Sequence, residues 1–287
     1  MKRVTSKDGT QIAFEKSGRG PALIMVIGAF NDRTTAMPLA EELQDSFTVF
    51  NYDRRGRGDS EDTLPYAVER ELEDLEALIA EAGGEAYVFG YSSGAALALE
   101  AANKGLHIRK LALYELPLTV GSVSDEGLGS VGHLSSADGR EIKTRNNHIL
   151  PAESLAQELA DLVAAGKRGE AVELFQTKGV GIPAEIVIQM RNAPFRPMLE
   201  KMAHTLVYEM RILSAIPAPI EFVMPIKTPT LLMAGSKSPT FMQTTAKALA
   251  EVMPNGQHRI LEGQTHDLSP DALAPVLLEF LNSETVR

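Results

Sequence analysis

The chain has no cysteine among its 287 residues. That excludes disulfides, a thiolate nucleophile and cysteine-held metal, and it leaves the redox compartment open. Basic charge is also in short supply. Lys and Arg number 28 against 38 Asp and Glu, a formal net charge of −10. Such an acidic balance argues against nucleic acid or an anionic membrane as partner. No apolar run approaches the roughly 20 residues of a membrane span. The opening "MKRVTSKDGTQ" lacks the apolar heart of a signal peptide. The expectation is a soluble, cytoplasmic protein. The sequence contains no internal repeat, dinucleotide-type glycine pattern, metal-ligand spacing or basic clamp for phosphate, so no cofactor is expected.

What is present is alternation. Short apolar or alternating runs at 10–18, 21–28, 47–53, 85–92 and 108–115 read as strands. Between them, 37–46, 67–83 and 93–105 read as helices, the second closed by Gly83-Gly84. The pattern returns with strands at 228–235 and 257–263 and helices at 244–253 and 270–282. Strand and helix in alternation imply right-handed crossovers and a mostly parallel, doubly wound α/β sheet. One segment breaks the rhythm. Residues 119–150 are rich in Gly, Ser, Asp and Asn, and 151–212 reads as helix throughout. The expected division is a core of 1–118 and 222–287 interrupted by a helical insert, 119–221.

Chemistry gathers at Gly90-Tyr91-Ser92-Ser93-Gly94, where a buried strand meets a small-residue helix. A serine hydroxyl attacks only when it is exposed, aimed and paired with a base. A sharp strand-to-helix bend does the aiming, and it tolerates only minimal side chains two positions away. Ser92 has glycine at both −2 and +2; Ser93 does not. Ser92 is therefore the candidate nucleophile, and the backbone N–H of Ser93 a candidate oxyanion donor. Of the six histidines, only His266 follows the last strand, at the carboxyl edge where this class of sheet places reacting groups. His107 and His258 sit before or at the start of strands, and His133, His148 and His204 fall in the insert.

Together with "YDRRGRGDS", which carries Asp53, Arg55, Gly56, Gly58 and Ser60 in a D-x-R-G-x-G-x-S pattern, these residues resemble the α/β-hydrolase superfamily over nearly the whole chain. The resemblance implies a helical cap between strands six and seven, with Arg55 anchoring the turn. It also implies a second oxyanion donor after strand three, Ala29 with Phe30 as fallback, and Phe30 lining the pocket. One departure stands out. The superfamily's usual acid follows strand seven, yet this chain has Ser238 there, in Gly235-Ser236-Lys237-Ser238-Pro239. Without a carboxylate the imidazole loses tautomer control and stabilisation of its cation. Some members, certain haloalkane dehalogenases among them, resemble a layout with the acid after strand six, and Glu115 ends that strand here. Asp267, beside His266, points the wrong way, and Asp125 and Glu126 lie in the irregular stretch. Ser238 is then expected to matter little.

Tyr91, Met190 and Met198 complete the expected pocket. Met202 and Met210 follow the last two along the insert, with Phe195 and Tyr208 interleaved. Methionine adapts to varied apolar ligands, though these residues also suit plain helix packing. The reading is a cofactor-free serine hydrolase with Ser92, His266 and Glu115 as its catalytic groups. It would cleave an ester or lactone of a small lipophilic substrate through an acyl-enzyme. Lyase or perhydrolase chemistry on the same groups, or a non-catalytic lipophile receptor, are the alternatives, and a homodimer is left open. A haloalkane dehalogenase is disfavoured, since it needs Asp at position 92.

Overall fold

The computed structural model describes residues 1–120, 152–216 and 218–284. Its frame is an eight-stranded sheet. In chain order the strands are β1 (Lys2–Thr5), β2 (Gln11–Gly18), β3 (Ala22–Val26), β4 (Thr48–Tyr52), β5 (Ala86–Tyr91), β6 (Ile108–Tyr114), β7 (Thr230–Gly235) and β8 (Gly256–Leu261). They lie side by side as β1-β2-β4-β3-β5-β6-β7-β8. The β1–β2 and β2–β4 pairs are antiparallel and the rest parallel. Every residue of β5 is buried, and its side chains alternate. Ala86 and Val88 enter one core layer; Tyr87, Phe89 and Tyr91 enter the other. A parallel strand covered on both faces reads as a continuous apolar run for this reason.

The covering helices outside the insert are α1 (Met37–Leu43), α2 (Val68–Glu81) and α3 (Ser93–Asn103), with α10 (Thr240–Val252) and α11 (Pro270–Asn282) near the end. Helices α2, α3 and α10 pack on one face through Leu72, Leu75, Leu97 and Leu249. Helices α1 and α11 pack on the other through Leu39, Leu43, Leu273 and Leu277. Each such side chain, fully buried, contributes about 1.5–3 kcal/mol. In α2 the buried positions 72, 75, 78 and 79 recur at helical spacing, and the helix stops at Gly83, whose φ is +106°.

Among the described residues between β6 and β7 stand six α-helices: α4 (Ala152–Ala164), α5 (Arg168–Leu174), α6 (Ala184–Gln189), α7 (Arg196–Lys201), α8 (Leu206–Ser214) and α9 (Pro219–Val223). Leu155, Leu159, Val172, Phe175, Leu206 and Met210 join there in a third apolar cluster, against which Ala29 and Phe30 are packed. No helix among the described residues is long and apolar enough to cross a membrane.

Three features depart from the sequence reading. Strand β1 was not expected. Its four residues are mostly exposed and carry no apolar period, and they extend because β2 offers a free edge. The stretch expected to be helical throughout breaks early, α4 and α5 being parted at Gly166 in the left-handed region with φ +72°. Helix α9 is too short for its periodicity to be read.

Candidate active site

Strand β5 ends at Tyr91 and α3 begins at Ser93, so Ser92 alone makes the bend. Its φ is +56° and ψ −130°, a conformation that costs a non-glycine residue about 1–3 kcal/mol. The surroundings enforce it. The Ser92 N–H donates to Tyr114 O at 2.9 Å, and its carbonyl accepts from the Ala95 N–H at 2.8 Å. A Cβ on Gly90 would come within 2.6 Å of Ala95 Cα, and one on Gly94 within 2.3 Å of Val26 O. Both glycines are there because backbone occupies the space a methyl needs. Ser92 stays partly exposed in a run that is otherwise buried from Ala86 to Ala102.

Among the described residues only Phe30, Ser92 and Glu115 have positive φ without being glycine. Each follows the end of one of the adjacent parallel strands β3, β5 and β6. Backbone strain therefore concentrates at one sheet edge, the edge where ligands of such sheets bind.

Glu115 is fully buried. Its Oε1 accepts from the Gly235 N–H at 2.7 Å and from the Ser238 hydroxyl at 2.8 Å. Its Oε2 lies 3.1 Å from Nδ1 of His266, in the loop between β8 and α11. Ser238 thus stands in the usual acid's place, with its hydroxyl turned to the Glu115 carboxylate. A carboxylate in a dry site needs donors on its free lone pairs.

Two tyrosines hold the His266 loop. The Tyr91 hydroxyl donates to His266 O at 2.8 Å and the Tyr114 hydroxyl to Thr265 O at 2.5 Å. Burial pushes both phenols well above their ordinary pKa, with Asp267 adding to Tyr91 and Glu115 to Tyr114, so both remain donors. Tyr91 was expected in the pocket. It is instead 8% exposed in the layer under α1 and α11, with its ring 5.2 Å from that of His266. The strand's period of two puts it on the far face. Asp267 engages the Thr265 hydroxyl at 3.0 Å, away from the Glu115–His266 contact.

The loop after β3 comes close. A Cβ on Gly28 would lie 2.9 Å from Ser92 Cβ. The Ala29 N–H, expected as an oxyanion donor, donates to the Ser93 hydroxyl at 3.0 Å, which reaches back across the bend. Phe30 packs edge-on against Phe175 of the insert, centroids 5.4 Å apart. Met190 is half-buried, whereas Met198, expected in the pocket, is 49% exposed. It lies on a side of α7 away from the buried Arg196 and Leu199. Phe195 is likewise exposed, while Met202 and Met210 are buried. His133, His148, Asp125 and Glu126 lie outside the described residues.

The turn after β4 carries charges that pattern reasoning did not resolve. Arg55 pairs with Asp74 through two bonds of 2.8 and 2.7 Å and with Asp8 at 2.9 Å, as an anchor should. Asp53 accepts from the N–H groups of Arg33 and Asp59 at 2.7 and 2.9 Å. Arg54 and Arg57 are also buried, paired with Glu71 and Glu209. The signal available was Glu209 itself, an acid in the apolar run "LVYEMRIL".

A model of the alpha/beta hydrolase family matches residues 27–276. Among solved structures, an alpha/beta hydrolase from Sphaerobacter thermophilus DSM 20745 is 46% identical, with a TM-score of 0.83 over 98% of this chain and 100% of that one. An esterase from Thermogutta terrifontis shares the fold at 21% identity and a TM-score of 0.69, covering 98% of this chain and 97% of that one. The uncharacterized hydrolase YraK of Bacillus subtilis (strain 168) is 35% identical over 96 residues, 32% of this chain. That match spans only 35% of the curated relative's length. The strained serine at the strand-helix bend, the sheet order and a family match of this extent agree: the chain belongs to the alpha/beta hydrolase family.

Proposed function

We propose that the chain is a serine hydrolase that cleaves a carboxylic ester or lactone of a small lipophilic substrate through an acyl-enzyme. The observation that carries this is the Glu115–His266 contact beside the Ser92 bend. In this reading Glu115 accepts from Nδ1–H and leaves Nε2 as the base. Nε2 takes the Ser92 proton, Ser92 Oγ attacks the carbonyl carbon, and the C=O electrons move onto oxygen. The Ser93 N–H meets that oxyanion. The Ala29 N–H joins it once the Ser93 side chain turns about χ1 to another staggered rotamer and carries Oγ aside. The imidazolium returns its proton to the leaving alcohol. Water, deprotonated by the same nitrogen, then releases the acid and Ser92. Oxyanion donors of this kind are worth about 10²–10³ each in turnover.

Helices α4 to α9 act as a cap, with Phe30 and Phe175 meeting at its contact with the core. The apolar cluster there favours a lipophilic substrate. The Thermogutta protein, alike in fold, is an esterase.

The test is labelling with a fluorophosphonate probe, followed by peptide mapping and assay on p-nitrophenyl butyrate. Ser92 should carry the label, and Ser92→Ala should lose label and turnover together. A chain that binds lipophiles but takes no label and turns nothing over is a receptor, and the proposal fails.

A further inference from the structure

Three of the largest fully buried side chains are arginines, Arg54, Arg55 and Arg57. Arg55 is spent on Asp74 and Asp8. Arg54 binds Glu71 at 2.6 and 2.7 Å and reaches Glu209 at 3.1 Å. Arg57 pairs with Glu209, which is fully buried on α8 of the insert. Two guanidinium groups and two carboxylates make this cluster neutral. Buried ion pairs are a poor way to gain stability, because apolar packing of the same volume does as well or better. Docking the insert does not by itself explain them.

Their remaining donors suggest another use. Arg54 Nη1 donates to Ile27 O at 3.2 Å, and Arg57 Nη1 to Gly28 O at 2.9 Å. The Gly28 carbonyl and the Ala29 N–H belong to one planar trans peptide, so they point in opposite directions. Pinning the oxygen aims the N–H, and here it is aimed at Ser93 Oγ, 3.0 Å away. A positive charge on the oxygen also polarises the amide and strengthens its N–H as a donor. The peptide needs such a hold. Glycine on one side permits it to flip, and Phe30 two residues on is strained at φ +60°.

Resting on the serine-hydrolase reading, we infer that Arg57, counter-charged by Glu209 of the insert, is the positioning residue of the oxyanion site. It holds the Gly28–Ala29 peptide with the N–H turned toward the nucleophile's bend. The insert thereby takes part in transition-state binding without touching the reacting atoms.

The double variant Arg57→Met, Glu209→Gln tests this, because it removes one charge of each sign and leaves Arg54 with Glu71. The assays are steady-state hydrolysis of p-nitrophenyl butyrate and inhibition by 1,1,1-trifluoro-2-heptanone, whose adduct with the serine carries an oxyanion. The expected result is a fall of about 10- to 100-fold in kcat, KM within about twofold, and a matching loss of ketone affinity. A cooperatively melting double variant with kcat and ketone affinity within about twofold of the parent overturns the inference. Should the double variant not fold, Arg57→Lys decides. It keeps the charge but not the fork, and should lower kcat and ketone affinity together; unchanged values overturn the inference. Failure of the parent chain to take the fluorophosphonate label or turn over the ester would instead sink the serine-hydrolase reading.

Discussion

The two sides of Ser92 are built in different ways. On the side of β6, β7 and β8, single hydrogen bonds from neighbouring strand ends hold each group. Glu115 takes one backbone and one hydroxyl donor, and the His266 loop hangs from Tyr91 and Tyr114. On the side of β3, β4 and the insert, buried ion pairs and aromatic contacts do the holding: Arg54 with Glu71, Arg57 with Glu209, Tyr66 stacked on Tyr208 with centroids 3.8 Å apart. Strand register sets the first side. Tyr91 lies opposite Tyr114 in the β5–β6 ladder, so Ser92 and Glu115 emerge together. No strand pairing sets the second, which joins the turn after β4 to α2 of the core and to α8 of the insert. One half of this edge comes with the sheet, and the Glu209 part of the other exists only when the insert docks.

Substitutions can separate the halves. The largest effect belongs to Glu115→Gln. It keeps the shape but cannot stabilise an imidazolium or fix its tautomer. In serine proteases the comparable change lowers kcat about 10⁴-fold, and we expect a similar loss in ester hydrolysis with little change in KM. An effect below tenfold would move the acid elsewhere.

Ser238→Ala comes next. It leaves one lone pair of a fully buried carboxylate without its donor, which costs about 1–3 kcal/mol. That loss should appear in a urea melt and as about a tenfold lower kcat. Ser238→Asp would put a second carboxylate against the first, and should be worse than Ala in both assays.

The smallest effect is one of pH. Burial alone would raise the Glu71 carboxyl, but Arg54 beside it, Arg57 and the Tyr66 hydroxyl together hold it below the usual carboxylate range. A group whose folded value is depressed lends its stability above the unfolded value, about 4.3 for glutamate. That contribution disappears as pH falls through the lower folded value. Acid should therefore loosen the ion-paired half first. Hydrogen exchange at pH 6 and pH 3.5 should show α2, which carries Glu71, losing protection while the β5 and β6 amides keep theirs. Equal loss in both would mean that the halves are not separate units.

The same division governs what could be read from the chain. Gly90, Ser92 and Gly94 are legible because a tight bend imposes its demands within five residues. Glu115 and His266 are legible because strands in a parallel sheet deliver their ends to one edge. Tyr91 was misplaced because its neighbourhood to Ser92 in sequence says nothing of the face on which its side chain lies. Met198 was misplaced because helical spacing does not reveal which stripe meets solvent. The hydroxyl of Ser238 was read as an absence of charge, when in space it is a donor to the acid.

By itself, then, the order of residues determined the alternating sheet and the bend at Ser92, both of which rest on local geometry and period. Only the tertiary structure decided that Ser238 serves Glu115, that the Ser93 hydroxyl takes the Ala29 amide, and that Arg57 ties the insert to the Gly28 carbonyl. Those contacts join segments far apart in the chain. Their partners are chosen by where packing brings them, and a buried charge has no local preference that would announce its counter-ion.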